Sequence, residues 1–184
     1  MNSHVLEDAI CYLIGPIDRV SDQGKGWRQY FTSQCKKNDI RLKVLDPTNK
    51  ISKLTKEVDE EQKAINRMKS ENNWEELSKF MYKVVRSDHR SIDIGDFVVC
   101  YIDMSCHMCG SYFELESALS QKKPYFIIVN EGKEKAPAWL FGILDHNKIF
   151  NSVDEVIEEL KDLNEGKKEL DDRWVLIRKE IENL

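Results

Sequence analysis

The sequence predicts an α/β protein: a doubly wound, flavodoxin-like or Rossmann-like parallel sheet of about five strands with helices on both faces. Three observations carry this expectation. Short, almost wholly apolar runs such as Ala9–Ile14 and Asp96–Ile102 suit central parallel strands buried on both sides. Between them lie longer stretches with apolar residues at helical spacing. The run Ala9–Ile14 ends on the turn-forming pair Gly15-Pro16, and the alternating run Ile40–Leu45 on Asp46-Pro47.

The elements follow in order. Ala9–Ile14 is the first strand, and Trp27–Lys37 is helical, with Trp27, Tyr30, Phe31 and Cys35 close to one face. Ile40–Leu45 alternates apolar and polar residues, as a second strand does. From Lys53 to about Val85 the chain is rich in Lys, Glu and Asn. Leu54, Val58, Ala64, Ile65 and Met68, then Trp74, Leu77, Phe80, Met81 and Val84, fall at helical spacing. Two helices broken near Glu71-Asn72-Asn73 account for this; a solvated face explains their charge, and nothing in them suggests chemistry. Asp96–Ile102 is the third strand, Tyr112–Gln121 a helix, Tyr125–Val129 the fourth strand and Lys148–Phe150 a short fifth. Ser152, with Glu155 three residues on, forms a capping box for the next helix.

The tail departs from this rhythm. Leu170, Trp174, Ile177, Ile181 and Leu184 recur at intervals of four and three, a narrow stripe on a charged helix from Lys167 to Leu184. Such a stripe serves either packing on its own domain or a helix-to-helix contact in a homo-oligomer, at least a dimer. Residues 1–165 therefore read as one domain and 166–184 as a C-terminal helical extension.

Bulk properties narrow the function. With 41% hydrophobic and 33% charged residues among 184, the chain has an ordinary globular balance. A net charge of −5 argues against a nucleic-acid polymer held on a broad basic face. No apolar run approaches the ~20 residues of a membrane span, and Met1–Asp8 lacks the features of a signal peptide. The expected location is the cytoplasm. The cysteines number five, and Cys11 and Cys100 lie in apolar runs as reduced, small hydrophobes. Cys106-His107-Met108-Cys109 has the spacing of a zinc knuckle or redox pair. His4, His89 and His146 supply no second ligand pair, so a reduced loop is expected, with no metal and no cofactor.

In an open parallel sheet, ligands bind beyond the carboxyl ends of the strands, where strand order reverses. Tyr12–Asp18 and Asp103–Glu114 both lie at or just past such ends, and Asp88 must join them for a site to form. Tyr12-Leu13-Ile14-Gly15-Pro16, Asp88 with Asp96 eight residues later, Cys109-Gly110-Ser111-Tyr112-Phe113-Glu114-Leu115 and Ala118-Leu119 together resemble the nucleoside 2-deoxyribosyltransferase family. That family is related to the deoxynucleoside-monophosphate N-glycosidases, and the resemblance covers roughly residues 9 to 150.

The resemblance implies a doubly wound fold and a retaining, two-step cleavage or exchange of an N-glycosidic bond. Glu114 would be the nucleophile that forms a deoxyribosyl ester, Tyr12 would orient its carboxylate, and Asp88 would protonate or hold the departing base. The chemistry is coherent: a carboxylate stabilises and traps an oxocarbenium-like centre while a second carboxyl assists the leaving nitrogen. A helix beginning just after Gly110 would favour the ionised Glu114 through its dipole, and Gly110 would let backbone approach the sugar. Each residue also has a plainer reading: Glu114 as a favourable helix-start charge, Asp88 as a surface or N-cap residue, Tyr12 as a core aromatic.

Gly15, Pro16, Asp18, Arg28, Gly110, Ser111 and Trp139 complete the candidate substrate contacts. Arg19, Lys25 and Arg28 offer positive charge near a 5′-phosphate, while Asp18, where nucleotide-cleaving relatives place an Arg, would repel one. Trp139 stacks on a base or packs as an ordinary tryptophan. The sequence departs from the family at Met108, where an Asp or Ser binds sugar or phosphate, and at Pro137–Leu140, which lacks an Asn lent by a neighbouring subunit. The expectation is an enzyme acting on a small nucleoside. The alternatives are a hydrolase of a deoxynucleotide or modified nucleoside, and a non-catalytic nucleotide-binding or assembly protein on the same fold.

Overall fold

In the computed structural model, which describes residues 4–18, 20–49 and 58–176, five strands make one sheet and all four pairings are parallel. The strands are β1 (Ile10–Ile14), β2 (Lys43–Leu45), β3 (Phe97–Ile102), β4 (Tyr125–Val129) and β5 (Ile149–Phe150). They lie in the order β2-β1-β3-β4-β5. The helices are α1 (Lys25–Lys37), α2 (Val58–Ser70), α3 (Trp74–Ile94), α4 (Cys109–Ser120), a single turn α5 (Leu140–Ile143) and α6 (Val153–Asn164). Arg19, Leu54, Ile177, Ile181 and Leu184, all invoked above, fall outside the described residues.

The period-two alternation of the strands divides the core. Cys11, Leu13, Phe97, Val99, Phe126 and Ile128 meet Phe31 and Cys35 of α1 and the Val156, Ile157, Leu160 stripe of α6. The intervening residues, Tyr12, Ile14, Val98, Cys100 and Ile127 among them, face Ile92 of α3 and Leu115 and Ala118 of α4. Both sheet faces are thus covered, which is why the inner strands β1, β3 and β4 read as continuous apolar runs, while the edge strand β2 does not. After β1 the chain leaves to one side for β2 and returns to the other for β3. The crevice between the carboxyl ends of β1 and β3 is the switch point, where this architecture binds ligands.

Helix boundaries differ from expectation in two places that matter. The break between α2 and α3 falls at Glu71–Asn73, where the Asn73 side chain accepts from the Glu76 amide. But α3 runs on to Ile94, through Arg86-Ser87-Asp88-His89, so Asp88 stands on a helix. And α4 begins at Cys109 rather than Tyr112, which places Gly110 inside it and Glu114 in its second turn. The Ser152 cap forms as expected, its hydroxyl accepting from the Glu155 amide at 3.2 Å. The Glu155 carboxylate reaches one residue further back, to the Asn151 amide.

The tail corrects the expectation of a helix from Lys167. Helix α6 stops at Asn164, and Gly166 adopts the left-handed conformation (φ 70) while the Gly166 and Lys167 amides close onto the Leu163 and Asp162 carbonyls. Through Leu176 the chain then runs without helix, laying Leu170, Trp174 and Leu176 on the α1/α6 side of the core. The Trp174 ring centroid sits 5.1 Å from that of Phe97 and 6.3 Å from that of Phe126. The apolar spacing thus belongs, over its described half, to a strap on its own domain. We expect Trp174→Ala to cost about 2–4 kcal/mol, a little under a fully buried aromatic, read as a lowered urea midpoint at unchanged m-value. An unmoved midpoint would mean that the strap contributes nothing.

Candidate active site

Tyr12 lies mid-strand with its side chain under α4, 1% exposed, and its hydroxyl donates to Glu114 Oε1 at 2.7 Å. Burial, then the Glu114 and Asp88 charges, push the Tyr12 hydroxyl well above the ordinary tyrosine value. It therefore stays a proton donor throughout the physiological range, and its partner is held by a charge-assisted hydrogen bond. Since Glu114 is in the second turn of α4 and the helix-end field fades within the first, this bond is the closer support of the carboxylate.

Above this pair opens a cleft of about 550 Å³, at the switch point. Gly15, Pro16 and Asp18 from the segment after β1, Gly110, Ser111 and Glu114 from α4, and Asp88 from α3 all line it. Chain segments far apart in sequence thus bring the carboxylates of Asp18, Asp88 and Glu114 to one space. The Gly110 Cα faces open room, with nothing within 4 Å of where a Cβ would stand. At Gly15 a Cβ would meet the Trp27 ring at 2.9 Å and the Tyr101 carbonyl oxygen at 3.2 Å, so a side chain there would disturb the segment.

The opposite wall was not anticipated. Ile65 of α2, Met81, Val84 and Val85 of α3, and Phe113 of α4 give the cleft a broad apolar side. The signal was available: 81, 84, 85 and 88 share one helical face, so an Asp88 that reaches the site brings the others with it. Asp18, Glu61, Asp88 and Glu114 make the lining acidic, His89 and His107 also border it, and no Lys or Arg stands among the described lining residues.

Two expected contacts are placed elsewhere. Arg28 is fully buried and lines no part of the cleft. Its Nη1 donates to the Gly24 and Pro16 carbonyls at 2.8 and 3.4 Å, and its Nη2 to those of Gly15 and Leu13 at 2.9 and 3.4 Å. The remaining Nε faces Asp46 at 3.6 Å. Those bonds fix the segment after β1, and Gly24, at φ 70, is the only residue type that clears both Arg28 and the Pro16 carbonyl. Both Nη groups of Arg28 are committed to backbone and its Nε is buried facing Asp46, so it lines no surface that a phosphate could reach. Its charge still acts on Glu114 and Tyr12 through space. Trp139 is 80% exposed and away from the cleft lining. Asp96 stands at the amino end of β3, accepting from the Ile10 amide at 2.7 Å, and so braces β1 from the end opposite the cleft.

Among the described residues no group of three His, Cys, Asp or Glu side chains is placed to hold a metal ion. No described helix is long and apolar enough to cross a membrane.

No protein-family profile matches the chain, and no curated protein does. Solved structures do resemble it. A conserved protein from Enterococcus faecalis V583 superposes with a TM-score of 0.56 at 14% identity, over 84% of this chain and 98% of that one. A CMP N-glycosidase from Clostridium botulinum gives a TM-score of 0.43 at 13% identity, over 82% of this chain and 97% of that one. At such identity the first likeness is one of fold.

Proposed function

We propose that the chain is a nucleoside 2-deoxyribosyltransferase-like enzyme that cleaves or exchanges the N-glycosidic bond of a deoxynucleoside through Glu114. The observation that carries this reading is the Tyr12 hydroxyl bonded at 2.7 Å to Glu114, on a cleft that Asp88 also lines. Packing alone does not call for a tyrosine here, since its buried hydroxyl costs desolvation that an apolar ring would avoid and is matched by the bond to a carboxylate facing the crevice.

In the first step the Glu114 carboxylate attacks the anomeric carbon as the bond to the base breaks, and Asp88, as the acid, delivers a proton to the departing nitrogen. The product is a deoxyribosyl ester of Glu114 and a free base. In the second step water or another base attacks the same carbon, gives its proton to the Asp88 carboxylate and releases Glu114. Tyr12 fixes the carboxylate plane in both steps and partly neutralises the charge that returns at the end. The acidic lining, with Arg28 withdrawn into the fold, favours an uncharged nucleoside over a 5′-monophosphate, because a phosphate dianion would meet carboxylates.

Incubating the protein with deoxynucleosides and their 5′-monophosphates, with and without a free acceptor base, tests the reading by chromatography of released and exchanged bases. Exchange identifies a transferase and release alone a hydrolase; no change in any substrate would overturn catalysis. We expect Tyr12→Phe to lower turnover by about 10- to 100-fold, the worth of one hydrogen bond to a charged group. The alkaline side of the rate–pH profile should be unmoved, because the raised Tyr12 pKa keeps that hydroxyl protonated there. An alkaline limb that disappears in Tyr12→Phe would contradict this role.

A further inference from the structure

We infer that Cys106 and Cys109 form an oxidisable thiol pair that reversibly shifts the start of α4 at the cleft, the oxidant being a small-molecule disulfide. Cys109 is the first residue of α4, exposed, and lines the cleft on the helix that carries Glu114. Cys106 is half-buried in the preceding loop, its thiol turned to the Asp103 carbonyl at 3.5 Å. Both are reduced, and they are separated by the two residues typical of exchange-active pairs.

The two thiols are not equivalent. Burial and then the Asp103 and Glu131 charges push the Cys106 thiol up, so it is the poorer nucleophile of solution reagents. Cys109 is the one that solutes reach. It loses its proton to solvent, its sulfur attacks the small-molecule disulfide, one thiolate leaves, and a mixed disulfide stands in the cleft. Cys106 then loses its proton to solvent and attacks the Cys109 sulfur, expelling the second thiolate. The sum is two protein thiols oxidised to a disulfide and one small disulfide reduced to two thiols.

Bonding the pair rearranges what lies between. Cys106 must leave the Asp103 carbonyl, and Met108, 5% exposed in the α3/α4 core, is held by its sulfur accepting from the Asp103 amide at 3.2 Å. The loop carries His107 and Met108, both cleft-lining, into α4. A displacement there shifts the helix start on which Gly110, Ser111 and Glu114 depend. The other three cysteines do not compete: Cys11, Cys35 and Cys100 are buried, and burial pushes the Cys35 thiol up to about 12.

The effect on turnover rests on the glycosidic reading; the thiol chemistry does not. The folded, full-length protein is treated with oxidised glutathione and followed by peptide mass spectrometry and hydrogen–deuterium exchange. We expect a disulfide joining Cys106 and Cys109, altered exchange confined to the Asp103–Phe113 segment, and full reversal by dithiothreitol. Cys106→Ser should keep its basal rate and stop at a stable glutathione adduct on Cys109. Deoxynucleoside turnover should fall by about 10²-fold in the oxidised protein, the cost of a slight misplacement of reacting groups. Thiols left unmodified, or a disulfide without change in exchange, overturns the inference whether or not any substrate turns over. A disulfide that leaves an active enzyme at its full rate overturns it as well.

Discussion

Replacing Glu114 with Gln is expected to lower base release or exchange by at least about 10³-fold, since removing a nucleophile leaves only binding and the remaining acid. The substitution is close to isosteric, and its amide oxygen still accepts from Tyr12 across the 2.7 Å contact. Stability should therefore move by no more than about 1 kcal/mol, and circular dichroism should match the parent. Glu114→Ala should be equally inactive. A substrate whose ester turns over slowly should leave a deoxyribosyl mass on the peptide that contains Glu114. A Gln variant with near-parental rate would remove Glu114 from the chemistry and leave Tyr12 as a structural bond.

Asp88→Asn should act unevenly across substrates. General-acid assistance is worth about 10² to 10⁴ in rate, and least where the base leaves readily without a proton. The loss should therefore be large for poor leaving bases and small for activated ones, measured as kcat/KM over a series of bases of graded acidity. An equal loss for every base would make Asp88 a positioning group. Its neighbours on the same helical face, Met81, Val84 and Val85, line the cleft but carry no proton to give. Conservative changes there should move KM among bases and leave that slope intact.

The sheet was legible because strands buried on both faces must be apolar at every position, and runs of that kind have few other uses. Tyr125–Val129 was located to the residue on this ground. The long α3 was less so: past Val85 its face turns polar, and Arg86-Ser87-Asp88-His89 looks the same whether it continues a helix or leaves one. The apolar stripe of α2 and α3 was visible, but a stripe at helical spacing does not say whether it meets a core or a cavity. Arg28 was misplaced because the four carbonyls that bind it belong to the three-dimensional course of the chain after β1. The tail misled in the same way, since intervals of four and three also describe a non-helical strap that touches a core at Leu170 and Trp174. Tyr12, Asp88, Gly110, Ser111 and Glu114 were named together from sequence motifs, and the folded chain brings Tyr12 to Glu114 and the others to one cleft.

Tyr12 has a mechanical consequence. A phenol ring is a rigid spacer with one end anchored in a fully buried interior strand and the other on the Glu114 carboxylate, so it works as a ruler between sheet and helix. The position of the reacting oxygen is then referenced to β1, whose residues Tyr12 to Ile14 are at most 1% exposed, and not to the surface loops around the cleft. Loops that soften on warming blur the rim before they blur the centre. The temperature of half-inactivation should accordingly coincide with that of cooperative unfolding, while in Tyr12→Phe, with the ruler cut at its tip, activity should fade at temperatures where the sheet is still intact.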